Sequence, residues 1–130
     1  MKTISITLPI YQAIKDKTVL IGLNWYRNAH YHELNKIKKL YTREIFLKLR
    51  GDKTVFERYC VEYNIYYKNS SCDLMNVVSV IDKFFQDALQ DLKIVSNDNV
   101  KHCCNVSSRV IEQDKINPRI EIIVKEKVEI

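Results

Sequence analysis

Glycine and proline are nearly missing from this chain, with two of each in 130 residues. With only Gly22 and Gly51, no glycine-rich loop can cradle a phosphate, so P-loop and dinucleotide chemistry are excluded and no nucleotide cofactor is expected. The same scarcity excludes low-complexity linkers and predicts an ordered chain. No apolar run approaches the ~20 residues that span a bilayer, so no membrane segment is expected. The opening MKTISITLPIYQAIKDK has only a short alternating apolar pattern rather than a secretory leader, which predicts a cytoplasmic protein. Its four cysteines are then expected to be reduced. They form no C-x₂-C pair, and Cys103 and Cys104 beside His102 would alternate across a strand, so no structural zinc is expected. There is no G-x-S-x-G elbow, and no signature supports cysteine–histidine catalysis.

What is present is 46% hydrophobic and 28% charged residues, the balance of a compact folded chain. At 130 residues this is one domain, residues 1–130, large enough for a core and too small for two. The net charge of +5 points toward an anionic partner.

Apolar residues alternate with Thr and Ser over residues 3–8, predicting a half-buried strand ended by Pro9. Residues 15–17 read as a turn, 19–23 as a second short strand, and 24–32 (NWYRNAHYH) as irregular. A long helix is predicted over 33–49, with Leu34, Ile37, Tyr41 and Ile45 as its core stripe and Gly51-Asp52 as its stop. Residues 56–68 are rich in β-formers and put Tyr59, Val61, Tyr63 and Ile65 on one face of a long strand. A second helix follows over 74–92, its stripe being Val77, Ile81, Phe84, Ala88 and Leu92. Strands at 100–110 and 119–124, around a turn at 113–118, complete the order ββαβαββ. That order describes an α+β domain, a mixed sheet carrying two main helices.

The most informative segment is 71–100. Asp73 and Asn76 stand at the mouth of the second helix, Asp82, Lys83 and Asp87 lie within it, and Asn97-Asp98-Asn99 follow it. Such residues can converge on a Mg²⁺ ion facing a phosphodiester. Carboxylates are hard oxygen ligands, the ion keeps positions for water and phosphate, and a lysine neutralises charge developing on the phosphate. At 100° per residue, Asn76, Lys83 and Asp87 fall within about 40° of one another, with Asp82 about a third of a turn away, toward solvent. Asp73 also suits an ordinary helix N-cap, and both roles hold if one oxygen caps while the other faces the ion. Lys83 and Asp87, at i,i+4, otherwise make a helix ion pair in the weaker of its two orders.

This segment resembles the RusA family of Holliday-junction resolvases, common in phages and prophages. That family carries D-x-D-N, then a helical lysine, then D-A-L, then an acidic pair in a loop before a strand. Asp73-Leu74-Met75-Asn76 stands for the first element, and Lys83-Phe84-Phe85-Gln86-Asp87-Ala88-Leu89 for the second. Asn97-Asp98, followed by Val100, stands for the third, and the close match covers about a quarter of the chain. Met75 replaces the second aspartate of the motif, and Asn97 the first acid of the pair. About four extra residues, close to one helical turn, lie between Asp73 and Lys83. The resemblance implies a Mg²⁺-dependent endodeoxyribonuclease, with Mn²⁺ as a substitute, that resolves four-way or other branched DNA by paired nicks. It implies a homodimer in the cytosol of a bacterium or phage-infected host. It implies catalytic roles for Asp73, Lys83 and Asp98, and metal ligation by Asp73, Asp98 and a third carboxylate, either Asp87 or Asp82. Two other readings stay open: an inactive relative that binds branched DNA, and a phage interaction protein that does not bind DNA.

Residues 24–32 combine aromatics with Arg27 and His30, a mixture that grips phosphates and stacks on exposed bases, unless Trp25 and Tyr26 simply cover the core. Lys36, Lys39, Arg43 and Arg50 lie within about 60° on the outer side of the first helix. Arg27, His30, Lys36, Lys39 and Arg43 are the expected DNA-binding set, the alternative for the stripe being a solvated face.

Overall fold

The computed structural model describes residues 2–127. In β1 (Thr3–Pro9) Ile4, Ile6 and Leu8 are buried between exposed or half-buried neighbours, as the alternation predicts. β2 (Tyr11–Ile14) and β3 (Lys17–Leu20) form a separate hairpin. Its two turn residues, Lys15 and Asp16, both have positive φ (49° and 65°), the geometry whose twist suits a two-residue hairpin. Then come α1 (Leu23–Asn28), α2 (Tyr31–Lys48), β4 (Tyr59–Tyr67), α3 (Leu74–Asp91), β5 (Cys103–Gln113) and β6 (Arg119–Glu126).

The main sheet has the order β1-β6-β4-β5. β6 runs antiparallel to both β1 and β4, and β5 runs parallel to β4. A parallel pair needs a crossover, which α3 supplies. The inward residues of β4 are Tyr59, Val61, Tyr63 and Ile65, and they share one core with Ile120, Ile122 and Val124 of β6. α2 contributes Ile37, Tyr41 and Ile45 to that core. Tyr41 also donates its hydroxyl hydrogen to the carbonyl of Pro9 (2.8 Å), satisfying its one buried polar group. α3 buries more than one stripe: Val78, Val80, Phe85 and Leu89 are enclosed along with the expected Val77, Ile81, Phe84 and Ala88. The other side of the sheet is polar, with Lys125 paired to Glu62 (3.0 Å) and Arg109 Nε donating to Asn64 Oδ1 (2.8 Å).

The α+β mixed sheet is as predicted, while several local expectations change. β2 was not expected as a strand, and β5 starts at Cys103 and runs to Gln113 instead of covering residues 100–110. The second short strand ends at Leu20 instead of running to Leu23. Part of the segment expected to be irregular is the short helix α1. A helix this short is not stable on its own. Here the Leu23 N–H donates to Asn76 Oδ1 on α3 (2.9 Å), and Trp25 meets Phe84 edge-on, with ring centroids 6.2 Å apart. Gly22 lies so close to α3 that a Cβ there would sit 2.6 Å from Asn76 Nδ2. No helix of the described residues is long and apolar enough to cross a membrane.

Candidate functional site

The side chains of α3 work on different sides. Asn76 pins α1. Asp87 pairs with Lys38 of α2 at 3.0 Å, not with Lys83. Lys83 is exposed and makes no hydrogen bond or ion pair with any described residue. The small angular spread among these residues is therefore real, but it aims two of them at neighbouring helices.

Asp82 corrects the sequence reading most. It was expected toward solvent, yet it is half-buried on the side facing β4 and β5. Its Oδ1 accepts from Tyr63 Oη (2.5 Å) and from Gln86 Nε2 (3.3 Å). Gln86 is itself buried: its Oε1 accepts from Tyr59 Oη (2.6 Å), and its Nε2 lies 3.4 Å from Cys103 Sγ. Tyr59 Oη also lies 3.5 Å from the carbonyl of Asn97. A chain of polar contacts thus runs from Asp82 through Gln86 and Tyr59 to the loop that carries Asp98.

Burial raises the Asp82 pKa above its usual value; the Tyr63 and Gln86 hydrogen bonds oppose that rise, and the charge on Asp98 adds to it. Burial likewise pushes the Tyr59 and Tyr63 hydroxyls up, followed by Cys103 and Asp98 for Tyr59 and by Asp82 for Tyr63, so both phenols are donors at neutral pH. Asp98 is exposed on a loop shaped by its own side chains: Asn97 Oδ1 accepts from Asn99 N (2.9 Å), and Asn99 Oδ1 from Lys101 N (3.0 Å).

Asp73 caps α3, its Oδ1 accepting from Met75 N (3.1 Å) and Asn76 N (3.4 Å). It stands about 13 Å along the helix axis from Asp82, at 1.5 Å rise per residue. Among the described residues, no three His, Cys, Asp or Glu side chains gather as a metal cluster. Of the four expected carboxylates, Asp82 is linked through Gln86 and Tyr59 to the loop that carries Asp98, while Asp73 is occupied in capping and Asp87 in an ion pair. Met75 is exposed, and its sulfur lies 3.7 Å from Ser108 Oγ on β5.

The sequence reading missed Tyr59, Tyr63 and Gln86 as site residues. The signal was there: a glutamine on an apolar helix, one turn after an aspartate, and tyrosines four apart on one strand face. A buried amide demands partners, and those were the hydroxyls within reach.

On the outer surface, Arg27, His30, Lys36, Lys39 and Arg43 are all exposed. The cations of this set make no ion pair with any described residue. Trp25 and Tyr26 pack on Phe84 and are only half exposed, so they cover the core. His30, Tyr31 and His32 instead stack on one another at the start of α2. No protein-family model matches this sequence, and no curated protein does.

Proposed function

We propose that the chain is a divalent-cation-dependent endonuclease for branched DNA, of the RusA kind, acting as a homodimer in the cytosol of a bacterium or phage-infected host. The observation that carries this reading is the polar chain from Asp82 through Gln86 and Tyr59 to the Asn97 carbonyl, which links a carboxylate of α3 to the loop that carries Asp98. The exposed, unpartnered Lys83 stands on the same helix. Carboxylates are hard oxygen donors suited to Mg²⁺ or Mn²⁺, so Asp82 and Asp98 are the residues that would hold such an ion, through two carboxylates rather than three. When bound, the cation supplies Lewis-acid chemistry at the phosphodiester.

The chain's own residues do the rest. Tyr63 and Gln86 hold Asp82 in one orientation, and Tyr59 ties the Asp98 loop to Gln86. Lys83 is free to offset charge on the phosphate as the bond breaks. Arg27, His30, Lys36, Lys39 and Arg43 supply an exposed basic surface for the phosphate backbone. Two symmetric nicks across a junction call for a two-fold dimer, and the expected particle is about 31 kDa, twice 15.4 kDa.

The test is cleavage of synthetic four-way junctions. Protein with Mg²⁺ should nick them in symmetric pairs and spare linear duplex. The presence of Met75 and the lack of a three-acid cluster among the described residues favour a second reading, a branched-DNA-binding relative without nuclease activity. Junction binding without nicking in Mg²⁺ or Mn²⁺ across several pH values would establish that reading. Absence of any salt-dependent DNA binding would leave the interaction protein.

A further inference from the structure

A cleft of about 340 Å³ lies between the tip of the β2–β3 hairpin and the first turns of α2. Its size is at the lower end for small-molecule sites, about 300–1,000 Å³. Ile14 and Ile37 give it an apolar floor, and the imidazoles of His30 and His32 line it. Those two rings stack with centroids 4.9 Å apart and 25° between their planes, and Tyr31 packs on both, so one side of the cleft is a cluster of aromatic rings. Lys15 and Lys36 stand at the rim, and neither makes an ion pair or hydrogen bond with any described residue. The acid in the lining, Glu33, accepts a hydrogen bond from Trp25 Nε1 (3.0 Å), while Asp16 adjoins Lys15 in the hairpin turn.

An apolar floor, stacked rings and two unpaired cations are complementary to one chemical unit, a planar base flanked by phosphates. We propose that this cleft receives a single unstacked nucleotide of a DNA strand, the base against His32, Ile14 and Ile37 and its phosphates on Lys15 and Lys36. Stacking on protein rings requires a base out of the duplex, which a branch point provides and a linear duplex does not. The inference rests on the DNA reading above and deepens it by naming the part of the substrate this surface takes.

Amide chemical shifts of ¹⁵N-labelled protein, titrated with thymidine 3′,5′-bisphosphate and with inorganic phosphate, test it directly. The bisphosphate should shift Ile14, Lys15, His32 and Ile37, with much smaller shifts from phosphate alone. Lys15→Ala combined with Lys36→Ala should weaken binding of a fluorescent octathymidylate roughly tenfold. 2-Aminopurine at a junction branch point should brighten on binding the wild-type protein and brighten less with His32→Ala. Equal shifts from phosphate would reduce the cleft to an anion site and overturn the proposal, as would bisphosphate shifts elsewhere or none. No arm requires cleavage. Cleft shifts without nicking uphold this proposal and sink the nuclease, while nicking without cleft shifts does the reverse.

Discussion

Tyr63 donates its phenolic hydrogen to Oδ1 of Asp82, so an inner strand of the sheet fixes a carboxylate on the crossover helix. The contact explains how a helical residue that angular counting sends toward solvent ends half-buried. The hydroxyl of a strand residue reaches past the apolar stripe and gives the carboxylate a donor. Tyr63→Phe removes a hydrogen bond to a charged group and should lower unfolding free energy by about 1.5–3 kcal/mol in urea denaturation at pH 7. An unchanged midpoint would mean that water replaces the hydroxyl without loss.

The raised Asp82 pKa makes a pH prediction with a definite sign. The folded state keeps this proton to higher pH than the unfolded chain, so the unfolded state binds fewer protons over that interval. Stability therefore falls as pH rises from near the unfolded value, 3.8, through the raised folded value, and stays lower above it. Asp82→Asn keeps an acceptor for Tyr63 while removing the buried charge. It should melt at a higher temperature than wild type at pH 7, with the advantage shrinking as pH falls and gone below about 3.8. Circular-dichroism melts at a series of pH values check this. A constant difference at all pH values would show that ionisation of Asp82 is not its source.

Asn76 belongs to a motif read as catalytic, and the structure gives it a fold role. It satisfies the Leu23 N–H and sits against Gly22. Asn76→Ala leaves that half-buried donor unpaired, a loss of about 1–3 kcal/mol. Gly22→Ala should be destabilising for a related reason, because its Cβ forces Asn76 away. If Asn76 only positions α1, the specific activity of the folded Asn76→Ala fraction stays close to wild type. Loss of activity at full folding would assign it a direct role.

Much of the fold was legible because its elements carry their own periodicity. Ile4, Ile6 and Leu8 declare β1, Ile37, Tyr41 and Ile45 declare α2, and Tyr59 to Ile65 declare β4, all as buried faces. α1 was not legible, since its support comes from Asn76 and Phe84, distant in sequence. The site was legible by residue type and not by direction. Capping by Asp73 followed from its position before a helix, whereas the turn of Asp87 toward Lys38 depends on how α2 packs against α3. One helix's angular plot carries no information about its neighbours, and those neighbours decided what holds each carboxylate.

The basic stripe on α2 has a measurable electrostatic signature. Each phosphate neutralised releases counterions, contributing about 0.9 to the slope of log affinity against log salt on duplex DNA. Changing Lys36, Lys39 and Arg43 together to Ala should weaken junction binding and flatten that slope by about 2–3. Fluorescence anisotropy from low to moderate salt reads both. A slope equal to wild type would show the stripe to be a solvated face.

The last prediction separates the acids. Asp82 and the Asp98 loop are the elements the Gln86–Tyr59 chain links, so on the nuclease reading Asp82→Asn and Asp98→Asn should each abolish nicking of four-way junctions. Junction binding should persist or tighten, since removing a negative charge near a phosphate relieves repulsion. Asp87→Asn breaks only a half-exposed pair with Lys38, an interaction of about 0–1 kcal/mol, so cleavage should stay within a few-fold of wild type. Asp73→Asn is the informative one. Asparagine caps a helix about as well as aspartate, so stability should barely change and any loss of cleavage reports chemistry. If Asp73→Asn nicks normally while Asp82→Asn does not, the acid that matters on α3 is the one linked to the following loop. If the opposite holds, the N-cap carboxylate is the ligand and Asp82 is a structural charge held by Tyr63. Full activity in all four variants would remove these carboxylates from the reaction altogether.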